Sequence, residues 1–166
     1  MTGRVLVAGV GNLFLGDDGF GPEAARRLAG APLPAGVRVV DYGIRGMHLA
    51  YDLLDPWDAL VLVDALPGGD DVGTVAVLEI GAEHLGPGGP GGATGVDAHG
   101  MDPATVLANL AALGGRLPPS TLLVGCRVAE TGEGMGLTPV VAAAVDEAVR
   151  AVQRLVTEGS RAREVV

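Results

Sequence analysis

Short apolar runs of strand length constrain the fold of this chain more than any other feature. The first run, RVLVAGV at 4–10, stops at Gly11 and Asn12. A short run without polar alternation is typical of a strand buried on both faces of a parallel sheet. Further strands are predicted at 37–42, 59–66, 73–80 and 120–127.

Helices are predicted between these strands, at 20–29, 46–54 and 102–113. Because strands and helices alternate, the pattern predicts an α/β fold. We expect a three-layer sandwich in which a twisted, mostly parallel five-stranded sheet is flanked by helices on both faces. No composition shift marks a boundary, so residues 1–166 are predicted to form a single domain.

The last predicted helix has clear start signals. Thr138 is suited to the N-cap and Pro139 to the first helical position. Apolar residues then recur on one face and charged residues on the other, which predicts packing on a sheet. The polar tail at 157–166 is expected to fray.

Charge and cysteine content exclude several classes of protein. The net charge of −9 argues against binding to nucleic acid or to an anionic membrane, both of which require basic side chains. Cys126 is the single cysteine, so neither an internal disulfide nor a multi-cysteine zinc site can form. It is predicted to be a small core residue, and this cysteine usage favours a cytoplasmic setting.

Candidate functional residues lie where predicted strands end, which is where ligands bind in open α/β sheets. A Gly/Pro-rich loop at 86–98 is a further candidate, because structureless loops of that length are commonly functional. The residues that these segments bring to one edge are Asn12, Asp17 and Asp18 after the first strand, Asp41 at the end of the second, Asp64 at the end of the third and His99 after the loop.

Each of these residues also has a structural interpretation. Asp17 and Asp18 precede a helix and could cap it or favour its dipole. Asp41 could hold a turn with Gly43, and His99 could cap the helix that it precedes. Asp64 ends an apolar strand, so its carboxylate must be hydrated, paired or bound to a ligand.

A dinucleotide site is disfavoured. Gly9-Val10-Gly11 follows a strand, but Phe14 occupies the position of the third glycine in the fingerprint. The acidic residues that follow would repel a pyrophosphate. We therefore predict no nucleotide cofactor.

Carboxylates and an imidazole at one sheet edge suit a divalent cation. Nickel, zinc and manganese all accept such ligands, and affinity does not choose among them. The same residues could instead polarise a water for amide hydrolysis, with one carboxylate as the base.

The segment from Gly9 to Gly21, GVGNLFLGDDGFG, closely resembles the opening signature of hydrogenase maturation proteases. Further matches follow in the same order along the chain, through about residue 156. They are the segment from Asp41 to Met47, Val63-Asp64-Ala65, His99 before a helix, and the segment from Gly136 to Pro139.

The resemblance implies an endopeptidase that removes a C-terminal extension from the large-subunit precursor of nickel–iron hydrogenase, after nickel has been inserted. It implies that Asp18, Asp64 and His99 contact the metal and form the catalytic site. The metal is then the nickel of the precursor and part of what is recognised. Whether such an enzyme is aspartic-type or metal-assisted stays open.

Other positions receive supporting roles from the resemblance. Asp41 and Gly43 lie in a loop expected to help choose the precursor, and Asn12 and Asp17 are expected to support Asp18. Two departures are visible. Some family members have Glu at the position of Asp18, and many have Thr at the position of Ile44.

Two further classes remain open at this stage, and both are compatible with the residues. One is a different peptidase on the same kind of fold. The other is a metal-binding maturation factor without catalytic activity. The resemblance and the acidic composition both favour a monomer.

Overall fold

The computed structural model describes residues 3–68, 70–81, 103–129 and 132–164. Five strands form one sheet in the order β2-β1-β3-β5-β4. The strands are β1 (Val5–Val10), β2 (Val37–Gly43), β3 (Ala59–Pro67), β4 (Val75–Glu79) and β5 (Ser120–Val128). The helices are α1 (Phe20–Ala29), α2 (Gly46–Asp52), α3 (Pro103–Ala112) and α4 (Pro139–Glu164), with a 3-10 helix at Gly16–Gly19.

The interior strand β1, between β2 and β3, is buried on both faces, as its apolar run predicts. Because successive side chains of a strand point to opposite faces, β1 divides its residues between two cores. Val5 and Val7 pack with α1 and α4, whereas Leu6 and Ala8 pack with α2 and α3. The predicted three-layer α/β sandwich is therefore confirmed.

The sheet is mostly parallel, as predicted, and β4 is the exception. Pairs β1–β2, β1–β3 and β3–β5 are parallel, and β4 pairs with β5 in the antiparallel direction. Cys126 of β5 is fully buried in the core, which confirms its predicted role.

The far end of the chain differs from expectation. The predicted frayed tail began at residue 157, but α4 continues to Glu164. The segment 157–164 contains mostly residues with good helix propensity, and a polar composition does not by itself end a helix.

Among the residues that the structure describes, no helix is both long enough and apolar enough to cross a membrane.

Candidate active site

The sheet order places a topological switch point between β1 and β3. From β1 the chain proceeds outward to β2 on one side, and then returns past β1 to β3 on the other. In open α/β sheets the crevice at such a point, at the carboxyl ends of the strands, binds ligands. Asp18 follows β1 and Asp64 lies in β3, so the topology assigns both carboxylates to this edge.

The loop after β1 is folded around the backbone of Asn12. The backbone N–H of Asn12 donates to Asp18 Oδ2 at 2.7 Å, and the side-chain Oδ1 of Asn12 accepts from the N–H of Phe14 at 2.9 Å. Gly11 has φ +145°, and a Cβ there would lie 2.0 Å from the carbonyl oxygen of Asp18. Only glycine therefore allows the loop to return this close to β1.

Asp18 is half-buried, and its carboxylate is held by that backbone hydrogen bond. The N-cap of α1 is Gly19, the residue after Asp18. A carboxylate offers about four lone-pair sites, so it can accept a hydrogen bond from the backbone and also contact a cation or a water. The geometry is thus compatible with the predicted role of Asp18 as a ligand.

Asp17 has a structural role that the sequence only partly indicated. It is 8% exposed, and its carboxylate accepts from the backbone N–H of Thr138 at 2.7 Å and from the Thr138 hydroxyl at 2.9 Å. Thr138 precedes α4, and its carbonyl accepts from the N–H of Ala142. Asp17 therefore joins the loop after β1 to the start of α4, 121 residues further along the chain.

Asp64 is half-buried in β3. The last residue pair between β1 and β3 is Gly9 with Val63, so Asp64 is the first residue of β3 beyond that pairing. Its Oδ1 accepts from the N–H of Ala65 at 2.8 Å. The strand thus extends past its neighbour at the point where it presents a carboxylate.

Hydrogen bonds link the carboxyl end of β2 to the same edge of the sheet. Asp41 Oδ1 accepts from the N–H of Gly43 at 2.9 Å, which confirms the turn expected between them. The Gly43 carbonyl accepts from the N–H of Gly11 at 2.9 Å. Arg45 Nη2 donates to the carbonyl of Asp41 at 2.6 Å. A continuous set of hydrogen bonds therefore connects the loop of Asp18 to the start of α2.

His99 lies outside the described residues, so its predicted position beside the two carboxylates is untested. Within the described part of the chain, no three acidic, histidine or cysteine side chains are grouped so that they could hold a metal ion. The ligand set Asp18, Asp64 and His99 stays a prediction.

A groove of about 730 Å³ between α2 and α3 was not predicted. Its lining includes Arg45, Met47, His48, Tyr51, Thr105 and Asn109. The two helices are distant in sequence, so no local pattern reveals their pairing. The exposed apolar residues of α2 were the available signal: Met47 is 48% exposed and Tyr51 is 55% exposed.

Known proteins resemble this chain over most of its length. A family model described as hydrogenase maturation protease matches residues 22–155. The hydrogenase expression/formation protein HupD of Rhodobacter capsulatus is 34% identical over 151 residues, which cover 88% of this chain and 68% of that protein. The hydrogenase 2 maturation protease of Escherichia coli is 31% identical over 154 residues, covering 90% and 88% of the two chains.

Solved structures agree with these relatives. The hydrogenase maturating endopeptidase HybD from Escherichia coli has a TM-score of 0.79 at 30% identity, covering 94% of this chain and 93% of that one. The [NiFe] hydrogenase maturation protease HybD from Thermococcus kodakarensis has a TM-score of 0.68 at 27% identity, covering 92% and 99%. Fold and relatives together define a peptidase. The chain belongs to the hydrogenase maturation protease family.

Proposed function

We propose that this chain is an endopeptidase that removes the C-terminal extension of a nickel–iron hydrogenase large-subunit precursor after nickel insertion. Family membership supports the reaction class and the substrate class. The observation that carries the proposal is that both carboxylates lie at the switch point of the sheet. Asp18 lies in the loop after β1, and Asp64 lies in the neighbouring strand β3. Nickel enters as part of the substrate.

In this proposal, Asp18, Asp64 and His99 engage the precursor's nickel directly or through water. This engagement fixes the scissile amide near a water molecule. One carboxylate removes a proton from that water as it adds to the carbonyl carbon, and the proton then passes to the leaving amine as the C–N bond breaks. Asn12 and Asp17 support this arrangement by fixing the loop that carries Asp18.

Asp41 and Gly43 help select the precursor from the carboxyl end of β2. The enzyme acts as a monomer in the cytoplasm and needs no nucleotide cofactor. The acidic composition is consistent with a protein that does not associate with nucleic acid.

Cleavage of a purified nickel-loaded large-subunit precursor tests the assignment. We expect Asp18→Asn, Asp64→Asn and His99→Ala each to reduce the rate of cleavage. Loss of the carboxylate that acts as the base should cost roughly 100-fold or more, because general acid–base catalysis typically contributes about 10²–10⁴-fold. Loss of either other side chain should weaken engagement of the precursor's nickel. Asparagine keeps one oxygen that can accept the backbone hydrogen bond of each aspartate, so the two asparagine variants should stay folded.

The matched control is Asp55→Asn, which changes an exposed aspartate in the turn before β3, away from the carboxyl ends of the strands. Processing at the wild-type rate by all three site variants would refute the site. Cleavage of generic peptides without nickel would favour a different peptidase activity. Binding without any mass change in the large subunit would favour a maturation factor that does not cut.

A further inference from the structure

The groove between α2 and α3 begins at the edge of the sheet that carries the candidate active site. Helix α2 starts directly after β2, at that strand's carboxyl end. Beyond the other ends of the two helices, Gly115 lies against Leu54, so both helices run away from the carboxyl edge together. Thr105, in the first turn of α3, therefore lies at the same end of the groove as Arg45.

The described surface of the groove is largely apolar, and it includes the guanidinium of Arg45. Met47 and Tyr51 are both about half exposed on α2. Arg45 donates from Nε to the carbonyl of Tyr42 at 3.1 Å and from Nη2 to the carbonyl of Asp41. Both acceptors are neutral, so these bonds orient the guanidinium without cancelling its charge.

No carboxylate among the described residues forms an ion pair with Arg45. The one carboxylate lining the groove, Asp52, accepts from the buried hydroxyl of Tyr42 at 2.6 Å. An oriented guanidinium beside exposed apolar side chains is complementary to an acidic group that is flanked by apolar ones.

We infer that this groove binds an apolar segment of the precursor polypeptide that carries an aspartate or glutamate side chain, with the carboxylate placed on Arg45. The inference rests on the proposed function, since it takes the precursor as the partner. A phosphate-rich ligand fits less well, because one arginine within an acidic molecule offers a single positive charge. The groove is a docking surface beside the candidate catalytic carboxylates and takes no part in bond cleavage.

The apolar part of the surface is tested with Met47→Glu. Position 47 is the second residue of α2, where an acidic side chain is favourable to the helix, so the variant should fold. Val77→Glu on β4 is the matched control, because Val77 is 46% exposed and Met47 is 48% exposed. We expect Met47→Glu to weaken equilibrium binding of the nickel-loaded precursor and to raise KM by roughly tenfold, with kcat unchanged, which corresponds to about 1.4 kcal/mol.

The charged part is tested with two substitutions at Arg45. Arg45→Gln removes the charge and should raise KM by a similar factor, whereas Arg45→Lys keeps the charge and should retain most of the affinity. Arg150→Gln, at an exposed arginine of α4, should behave as wild type. If Lys and Gln at position 45 weaken binding equally, Arg45 acts by holding the carbonyls of Asp41 and Tyr42, and the inferred ion pair is wrong.

Binding is measured separately from cleavage so that two failures can be told apart. An uncut precursor that still binds wild type and not Met47→Glu would refute the proposed function and support the groove. A precursor that all variants cut with the wild-type KM would refute the groove and leave the function intact. A wild-type dimer that Met47→Glu converts to a monomer in sedimentation would assign the groove to a second copy of the chain instead.

Discussion

The neighbouring carboxylates Asp17 and Asp18 hold different parts of the molecule. Asp18 accepts from the backbone of Asn12, six residues earlier, and shapes the loop at the switch point. Asp17 is buried and accepts from the backbone and the hydroxyl of Thr138. Asp18 therefore shapes the loop that carries it, and Asp17 fixes that loop to α4.

Removing Asp17 should destabilise the fold. Asp17→Ala leaves the N–H and hydroxyl of Thr138 without their acceptor, and we expect a loss of about 1–3 kcal/mol in the free energy of unfolding. Thr138→Ala should cost less, because Asp17 still accepts from the backbone at position 138. Urea denaturation of both variants and of the double variant measures the coupling.

Asp71→Ala, at an exposed aspartate, is the control for that experiment and should change stability by less than about 0.5 kcal/mol. An Asp17→Ala protein as stable as the control would show that the contact with Thr138 is not significant for the fold.

The sequence predicted contacts between residues that are close along the chain and missed contacts between residues that are far apart. The turn of Asp41 with Gly43 spans two residues, and local turn chemistry was enough to anticipate it. The partner of Asp17 lies 121 residues away, and no local pattern specifies such a contact. The sequence indicated that Thr138 precedes a helix. It did not indicate that the carboxylate of Asp17 accepts hydrogen bonds from Thr138.

At the level of elements, α1 packs on the sheet through glycine. A Cβ at Gly21, in the first turn of α1, would lie 2.2 Å from the carbonyl oxygen of Val10 and 2.3 Å from that of Val63. Both neighbours are backbone atoms of β1 and β3, so they cannot move aside as a side chain can. This close approach brings the helix onto the two strands that define the switch point.

Gly21→Ala should therefore be strongly destabilising. The helix must shift away from the sheet to accommodate the methyl group, and overpacking of this kind costs about 1–3 kcal/mol or more. Gly30→Ala, at the other end of α1, is the matched control, because a Cβ there would meet its nearest atom at an ordinary 3.8 Å. Thermal unfolding followed by circular dichroism compares the two; equal midpoints would contradict the packing argument.

The hydrophobic pattern of the sequence predicted closely where most helices and strands begin and end. It predicted less well how these elements are arranged in space. The run at 4–10 became β1 at Val5–Val10, and the helix predicted at 102–113 became α3 at Pro103–Ala112. The antiparallel direction of β4 and the pairing of α2 with α3 depend on tertiary packing, which periodicity does not encode. The groove was missed for this reason.

At the level of the whole molecule, the charge composition makes alkaline titration unusually simple. All eleven basic side chains other than histidine are arginines, and the chain has no lysine. Arginine stays protonated throughout the accessible pH range. Titration of side chains between about pH 8 and 11 is therefore confined to Cys126 and two tyrosines.

Cys126 should make folding stability fall at high pH. Burial, followed by the nearby charges of Asp17 and Glu147, raises the pKa of its thiol from 9.0 to about 11. Between these values the unfolded chain has released the proton and the folded chain has not, so the unfolded state is favoured as pH rises. A difference of two pKa units between the folded and unfolded states lowers the free energy of unfolding by about 2–3 kcal/mol at pH 11.

Burial and the hydrogen bond to Asp52 also raise the pKa of Tyr42. Its contribution to the loss of folding stability therefore has the same sign as that of Cys126 and begins above pH 10.

Urea unfolding of wild type, Cys126→Ala and Tyr42→Phe at pH 7, 9 and 11 separates the two groups. Each substitution also changes stability at pH 7. The quantity to compare is therefore the slope of the free energy of unfolding against pH. We expect Cys126→Ala to lose less stability than wild type between pH 9 and 11, and Tyr42→Phe to differ from wild type only above pH 10. A Cys126→Ala protein with the wild-type slope would show that the thiol is not shielded from ionisation in the folded core.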